Sequence, residues 1–229
     1  MEAKEIIARR VGLELRDGML VNLGIGLPTL VARFVPNGIS VAFQSENGLI
    51  GFSSPPPEGM ENRNLTDAGG GFIAALPGAA SFDSATSFAL IRGGHVDLAV
   101  LGALQVDASG RLASWMIPGK FTPGMGGAMD LVAGARRVIV ATQHAAKGES
   151  KIVERLTLPP TSARRVSLIV TELAVIEPTD EGLALRERAP SVSVAHIVAC
   201  TGARLIVPED TPEMRLEIDE RKAARNVST

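Results

Sequence analysis

The chain has no tyrosine, one tryptophan (Trp115) and one cysteine (Cys200) in 229 residues. With so few aromatic faces for bases to stack on, and a net charge of −2, it has neither the stacking surface nor the basic field of a nucleic-acid binder. A lone cysteine excludes an internal disulfide, and its setting (HIVAC, 196–200) suggests a small core residue. No apolar window reaches the length of a membrane span. The opening stretch Met1–Gly18 is charged throughout, without the apolar core of a signal peptide. The three histidines, His95, His144 and His196, have no ligand-like spacing, so no metal is expected. These absences point to a cytoplasmic protein with neither a nucleic-acid nor a membrane partner.

What is present describes an ordinary globular chain, 45% hydrophobic and 21% charged. No linker divides it, so residues 1–229 are expected to form a single domain. Ile6, Ile7, Val11, Leu13 and Leu15 among charges predict an amphipathic helix over about 3–16. Met19–Leu23 is strand-like and runs into Gly24-Ile25-Gly26-Leu27-Pro28, with Pro28 placed for a first helical turn. Asn37-Gly38 turns the chain into a strand over Ile39–Phe43. Gly51–Gly71, rich in Pro, Gly and Asn, reads as a long loop. Phe72–Gly78 reads as a strand, and Ser84–Ile91 as a helix with Ser81 or Asp83 available as a cap. His95–Val106 reads as one apolar strand; Arg136–His144 and Val166–Ile176 are β-branched runs of the doubly buried kind. Ser191–Gly202 is helix-like, and the tail from about 216 to 229 should fray. Alternating strands and helices without a repeat predict an α/β fold.

Three features could carry chemistry. Glu46, in QSENGLIG (Gln44–Gly51), sits at the lip of the Asn47-Gly48 turn, beside the apolar pair Leu49-Ile50. It is either a solvated turn residue or a nucleophile at a strand end. Asn22 closes an earlier strand, and Gly126-Gly127-Ala128 is a side-chain-poor turn whose N–H groups can approach a substrate. A carboxylate, a neutral amide and backbone donors are the parts of acyl transfer to a carboxylate. The Gly24-Ile25-Gly26 turn is a truncated dinucleotide fingerprint, without a third glycine or a suitably placed acidic residue, and reads first as a tight strand-to-helix turn.

The longer words go further. NLGIGLPTLV (Asn22–Val31), QSENGLIG, the run Leu76–Val106, WMIPGK (Trp115–Lys120) and GMGGAMDLV (Gly124–Val132) closely resemble the B (beta) subunit of 3-oxoacid CoA-transferases. Within that family they sit nearest the acetate or short-chain acyl:acetoacetate type. The resemblance implies an open, mainly parallel sheet flanked by helices, the CoA-transferase superfamily fold. It implies ping-pong movement of CoA between a short acyl-CoA or succinyl-CoA and a 3-oxoacid, through a glutamyl-CoA thioester on Glu46. Asn22 would orient that glutamate, and the Gly127 and Ala128 amides would hold the oxyanion. Gly24, Gly26, Asn47, Gly48, Gly70 and Gly126 would line the substrate and CoA pocket. Coenzyme A would come and go as acyl-CoA substrate, with no permanent cofactor. A separate A subunit, in a heterodimer or heterotetramer, would complete the site for small carboxylic acids. One departure stands out: succinyl-CoA-using relatives commonly carry lysine after Asp-Ala-Gly, whereas Asp67-Ala68-Gly69 is followed here by Gly70. Losing a cation leans the acyl site towards a short monocarboxylate, unless the A subunit supplies one. The competing readings are an acyl-CoA hydrolase on the same scaffold and a non-catalytic small-molecule-binding domain.

Overall fold

The computed structural model describes residues 1–53, 55–120, 122 and 124–217. From residue 218 onwards the tail expected to fray lies outside the described residues. In chain order come α1 (Ala3–Gly12), β1 (Leu20–Leu23), a 3-10 segment (Leu27–Phe34), β2 (Ala42–Ser45), β3 (Leu49–Ser53) and β4 (Ala74–Ser81). Then follow α2 (Ser84–Arg92), β5 (Leu98–Leu101), β6 (Gln105–Asp107), β7 (Leu112–Ala113), α3 (Ala128–Gly134) and β8 (Arg137–Ala141). The chain continues through β9 (Ala145–Ala146), β10 (Glu149–Ser150), β11 (Ile152–Val153), β12 (Leu168–Val170), β13 (Ala174–Thr179), β14 (Gly182–Arg188), α4 (Val194–Cys200) and β15 (Leu205–Ile206).

One sheet carries the architecture, in the order β15-β14-β13-β12-β8-β5-β1-β2-β3-β4. Its centre, from β12 through β8, β5 and β1 to β2, is wholly parallel. Antiparallel strands flank that centre on both sides. The α/β expectation is met, and the period of two shows why both faces must be covered. Leu98 and Val100 of β5 face one way, with Ile139 and Ala141 of β8, and pack against Ile7, Ala8 and Val11 of α1. Ala99, Leu101, Val138 and Val140 face the other way, against Ile91 of α2, Leu131 and Val132 of α3 and Ile197 of α4. A central strand thus has no solvated side and reads as a continuous apolar run. Ile139, wholly buried in the middle strand, is a sensitive point. We expect Ile139→Ala to cost about 2–5 kcal/mol, lowering the thermal midpoint by about 2–4 °C per kcal/mol in a melting experiment.

Several boundaries differ from those expected. α1 ends at Gly12, and its last turn tightens into i→i−3 bonds, Glu14 N–H to Val11 O and Leu15 N–H to Gly12 O. The helix begun at Pro28 is a 3-10 segment. β2 lies three residues later than expected at its start, and β3 occupies the first part of the predicted loop. The apolar run 95–106 breaks after Leu101 into β5 and β6, which belong to different sheets. Val166–Ile176 likewise folds into two antiparallel strands, β12 and β13. Among the described residues no helix is long and apolar enough to cross a membrane.

Candidate active site

Strand order reverses at β1: the chain passes from β1 to β2 on one side, then returns to place β5 on the other. In open parallel sheets the crevice at the carboxyl ends beside such a reversal is where ligands sit. The carboxyl end of β1 carries Asn22, and beyond it Gly24, whose N–H donates to Val100 O at 2.8 Å. A Cβ on Gly24 would lie 3.1 Å from that carbonyl, so glycine lets the turn hug β5. The carboxyl end of β2 carries Glu46. The two strands are in register, Asn22 beside Gln44.

The turn after β2 is held from several directions. Gly48 has φ +114°, and a Cβ there would strike Phe82 O, so only glycine fits. Phe82 N–H donates to Gly48 O at 2.9 Å. Asn47 Nδ2 donates to Thr66 O at 2.8 Å, and Ala68 N–H donates to Ser45 Oγ at 2.9 Å. The 66–72 segment is therefore clasped to the turn. Within that segment Asp67 accepts the N–H groups of Gly69 and Gly71, and Gly70 takes φ +81° with open space beside it. Gly26, at φ +89°, is also open to space.

Glu46 meets α3 at its beginning. Gly127 caps that helix, and its N–H donates to Glu46 Oε1 at 3.2 Å. A Cβ on Gly127 would overlap Glu46 Oε2 and lie 2.8 Å from its Cδ. Gly126, at φ +53°, leaves 3.5 Å between its would-be Cβ and Glu46 Oε1. The carboxylate is therefore seated on a glycine floor. Burial pushes its pKa upwards, the Gly127 N–H opposes that, and the nearby Asp130 carboxylate adds to it. A half-hidden acid at the sheet's carboxyl edge is not a solvated turn residue.

The other expected residues are placed less simply. Asn22 is buried, and its Nδ2 donates to Gln44 Oε1 at 2.7 Å and Gln44 O at 3.2 Å rather than to Glu46. Its Oδ1 is buried and has no partner among the described residues. Gln44 Nε2 in turn donates to Ser87 Oγ on α2 at 2.8 Å. Asn22 thus touches the strand that bears Glu46 and not Glu46 itself. Ala128 N–H donates to Met125 O at 3.3 Å, leaving Gly127 as the donor on Glu46. Gln44, Ser87 and Asp130 were not singled out in the sequence. Gln44 was visible in principle, because a polar residue two places before Glu46 shares its side of the strand. Elsewhere, His144 and His196 lie near enough to influence each other. His144 is buried between Thr171 and Thr201, each oxygen 3.0 Å from a ring nitrogen, and burial pulls its pKa down to about 4. Cys200 is half-buried on α4 beside His196 and is not the core residue its neighbours suggested.

Over residues 4–200 the chain matches the coenzyme A transferase family. This chain belongs to that family. It is 52% identical over 217 residues to the beta subunit of the acetate CoA-transferase of Haemophilus influenzae, covering 94% of this chain and 97% of that one. It is 49% identical over 205 residues to the B subunit of the succinyl-CoA:3-ketoacid coenzyme A transferase of Helicobacter pylori, covering 89% and 99%. A solved acyl-CoA transferase from Escherichia coli O157:H7, in thioester complex with CoA, superposes with a TM-score of 0.73 at 20% identity. That superposition covers 94% of this chain but 44% of the other, so this chain spans less than half of that protein and shares its fold. The chain is thus a CoA-transferase subunit of the beta type, and the mainly parallel sheet is the family's.

Proposed function

We propose that this chain is the B subunit of a two-subunit, cytoplasmic CoA-transferase whose nucleophile is Glu46. It moves CoA between a short acyl-CoA and a 3-oxoacid such as acetoacetate. The observation that carries this reading is Glu46 itself, half-hidden at the sheet's carboxyl edge with the Gly127 N–H on Oε1.

Glu46 attacks the thioester carbonyl of the donor, the C–S bond breaks, and CoA thiolate leaves a mixed anhydride behind. The thiolate then attacks Cδ of Glu46, and the donor acid departs, leaving glutamyl-CoA. In that second step negative charge collects on the carbonyl oxygen of Glu46, where the Gly127 N–H already points. A donor 3.2 Å away in the resting state has room to shorten as charge develops. An acceptor carboxylate runs the same steps in reverse. Water must stay out of both intermediates, and the buried Leu49 beside the turn serves that need.

An A subunit is the partner this surface fits. Ile25, Phe72 and Met129 are large apolar side chains left exposed on the segments around Glu46. Covering them would complete a dry site in a heterodimer or heterotetramer. Gly70, at φ +81° and without a cationic side chain, favours a short monocarboxylate over succinate.

The test is co-expression with the A subunit and a screen of acyl-CoA donors against small acids. Turnover that depends on an acceptor acid and prefers acetyl- or butyryl-CoA is the expected result. Acceptor-independent CoA release would make the protein a hydrolase instead. A clear preference for succinyl-CoA would remove the inference drawn from Gly70.

A further inference from the structure

Helix α2 touches both halves of the nucleophile's seat. Just before its start, Phe82 bonds the Gly48 carbonyl; in its middle Ser87 accepts from Gln44 on β2. At its last residue, Arg92 Nε donates to Asp130 Oδ1 at 2.7 Å. Asp130 lies in the first turn of α3, three residues after Gly127. The two helices meet closely: a Cβ on Gly134 would strike Ile91 O. Arg92 also lies over the Phe88 ring, its Cζ 5.6 Å from the centroid, which steadies its stem.

We propose that Arg92 is a positioning residue for the reaction assigned to Glu46: by pairing with Asp130 it offsets the negative charge in the first turn of α3, three residues from the Gly127 N–H on Glu46, and holds the start of that helix in place. This rests on the reading of Glu46 as nucleophile. The other acids beside the turn are engaged locally. Asp67, from the 66–72 segment, accepts from Gly69 and Gly71 N–H, and Asp83, from the start of α2, accepts from Thr86 N–H. Asp130 is the carboxylate whose charge raises the Glu46 pKa. Glu46 attacks only as an anion, so an unbalanced Asp130 would keep more of it protonated at a given pH.

Arg92 is well exposed and Asp130 is not, at 66% and 17% of side-chain surface, so solvent screening keeps the effect moderate. The experiment is a ¹³C-carboxyl NMR titration of glutamate-labelled protein, with the Glu46 signal assigned by its loss in Glu46→Gln. It is run on the complex and paired with the pH dependence of kcat/KM. For Arg92→Gln the midpoint should rise by about half a pH unit, with the acid limb following it and a rate loss of about threefold below it. Arg92→Lys should restore most of the shift, and Asp130→Asn combined with Arg92→Gln should cancel it. If Arg92→Gln does not fold, Asp130→Asn alone must lower the midpoint below wild type. An unmoved Glu46 midpoint in these variants overturns the proposal. The titration reads the carboxyl whether or not the enzyme turns over, so failure of the transferase reading shows separately, as a wild-type complex that forms no thioester.

Discussion

Glu46→Gln, in the assembled enzyme, should lower CoA transfer by more than about a thousandfold while the protein stays folded. Glutamine keeps the length and the oxygen that accepts the Gly127 N–H. It lacks the anionic oxygen that attacks. The fold should not suffer, and the sign of the linkage says why. A carboxyl whose folded pKa is raised favours the folded state fully below its unfolded pKa, and that contribution is lost as pH rises through the folded pKa. At neutral pH the ionised Glu46 therefore works against folding, and the neutral amide relieves this, so the melting temperature should hold or rise slightly. Incubation with acyl-CoA followed by borohydride should convert residue 46 to the alcohol in wild type and leave it untouched in Glu46→Gln, as read by peptide mass. Transfer at undiminished speed in the variant would falsify the assignment.

Gly127→Ala should be nearly as damaging, although it adds a single methyl group. The new Cβ would overlap Glu46 Oε2 and sit 2.8 Å from Cδ, closer than carbon atoms tolerate. Either the carboxylate swings away or the start of α3 shifts, and both separate Glu46 from the one N–H that donates to it among the described residues. Losing one oxyanion donor typically costs about 2.7–4 kcal/mol, on the order of 10²–10³ in kcat. The loss should appear in the single-turnover rate of thioester formation. A comparison separates crowding from strain: Gly38, at φ +83°, has nothing within 4 Å of a would-be Cβ. Gly38→Ala should cost on the order of 1 kcal/mol of stability and leave the chemistry alone. If Gly127→Ala forms thioester within about threefold of wild type, then Gly127 is not the donor the mechanism needs.

Much of the fold was legible because its signals are local. The buried strands β5, β8 and β12 appear as apolar, β-branched runs since both their faces are covered. Asp83, one of the two caps expected for α2, does cap it, its side chain accepting the Thr86 N–H at 2.7 Å. The boundaries were less legible. The break at Gly102 that sends β5 and β6 into different sheets leaves no mark in hydrophobicity. Nor did the glycine-rich stretch before Ala128 announce a helix; α3 is held there by packing against α2. Arg136-Arg137 and Arg164-Arg165 each precede a β-branched run, and Arg136, Arg164 and Arg165 are exposed there. In the fold Arg136 pairs with Asp97, Arg137 with Glu14 and Arg165 with Asp180, while Arg164 donates to the carbonyls of Val132, Ala133, Ala135 and Arg136 around the end of α3.

From the residues alone came the parts: an acid at a strand end, an amide on a neighbouring strand, a run of glycines and words shared with a transferase family. Their meeting belongs to the folded chain. Gly127 follows Glu46 by 81 positions, and no periodicity links residues that far apart. They touch because β1, β2 and β5 align their carboxyl ends and α2 sets the start of α3 against the β2 turn. Local patterns of burial and turn chemistry decide which segment becomes which element. Packing between elements distant in the chain decides which side chains share a site, and through burial and neighbouring charge what their chemistry becomes.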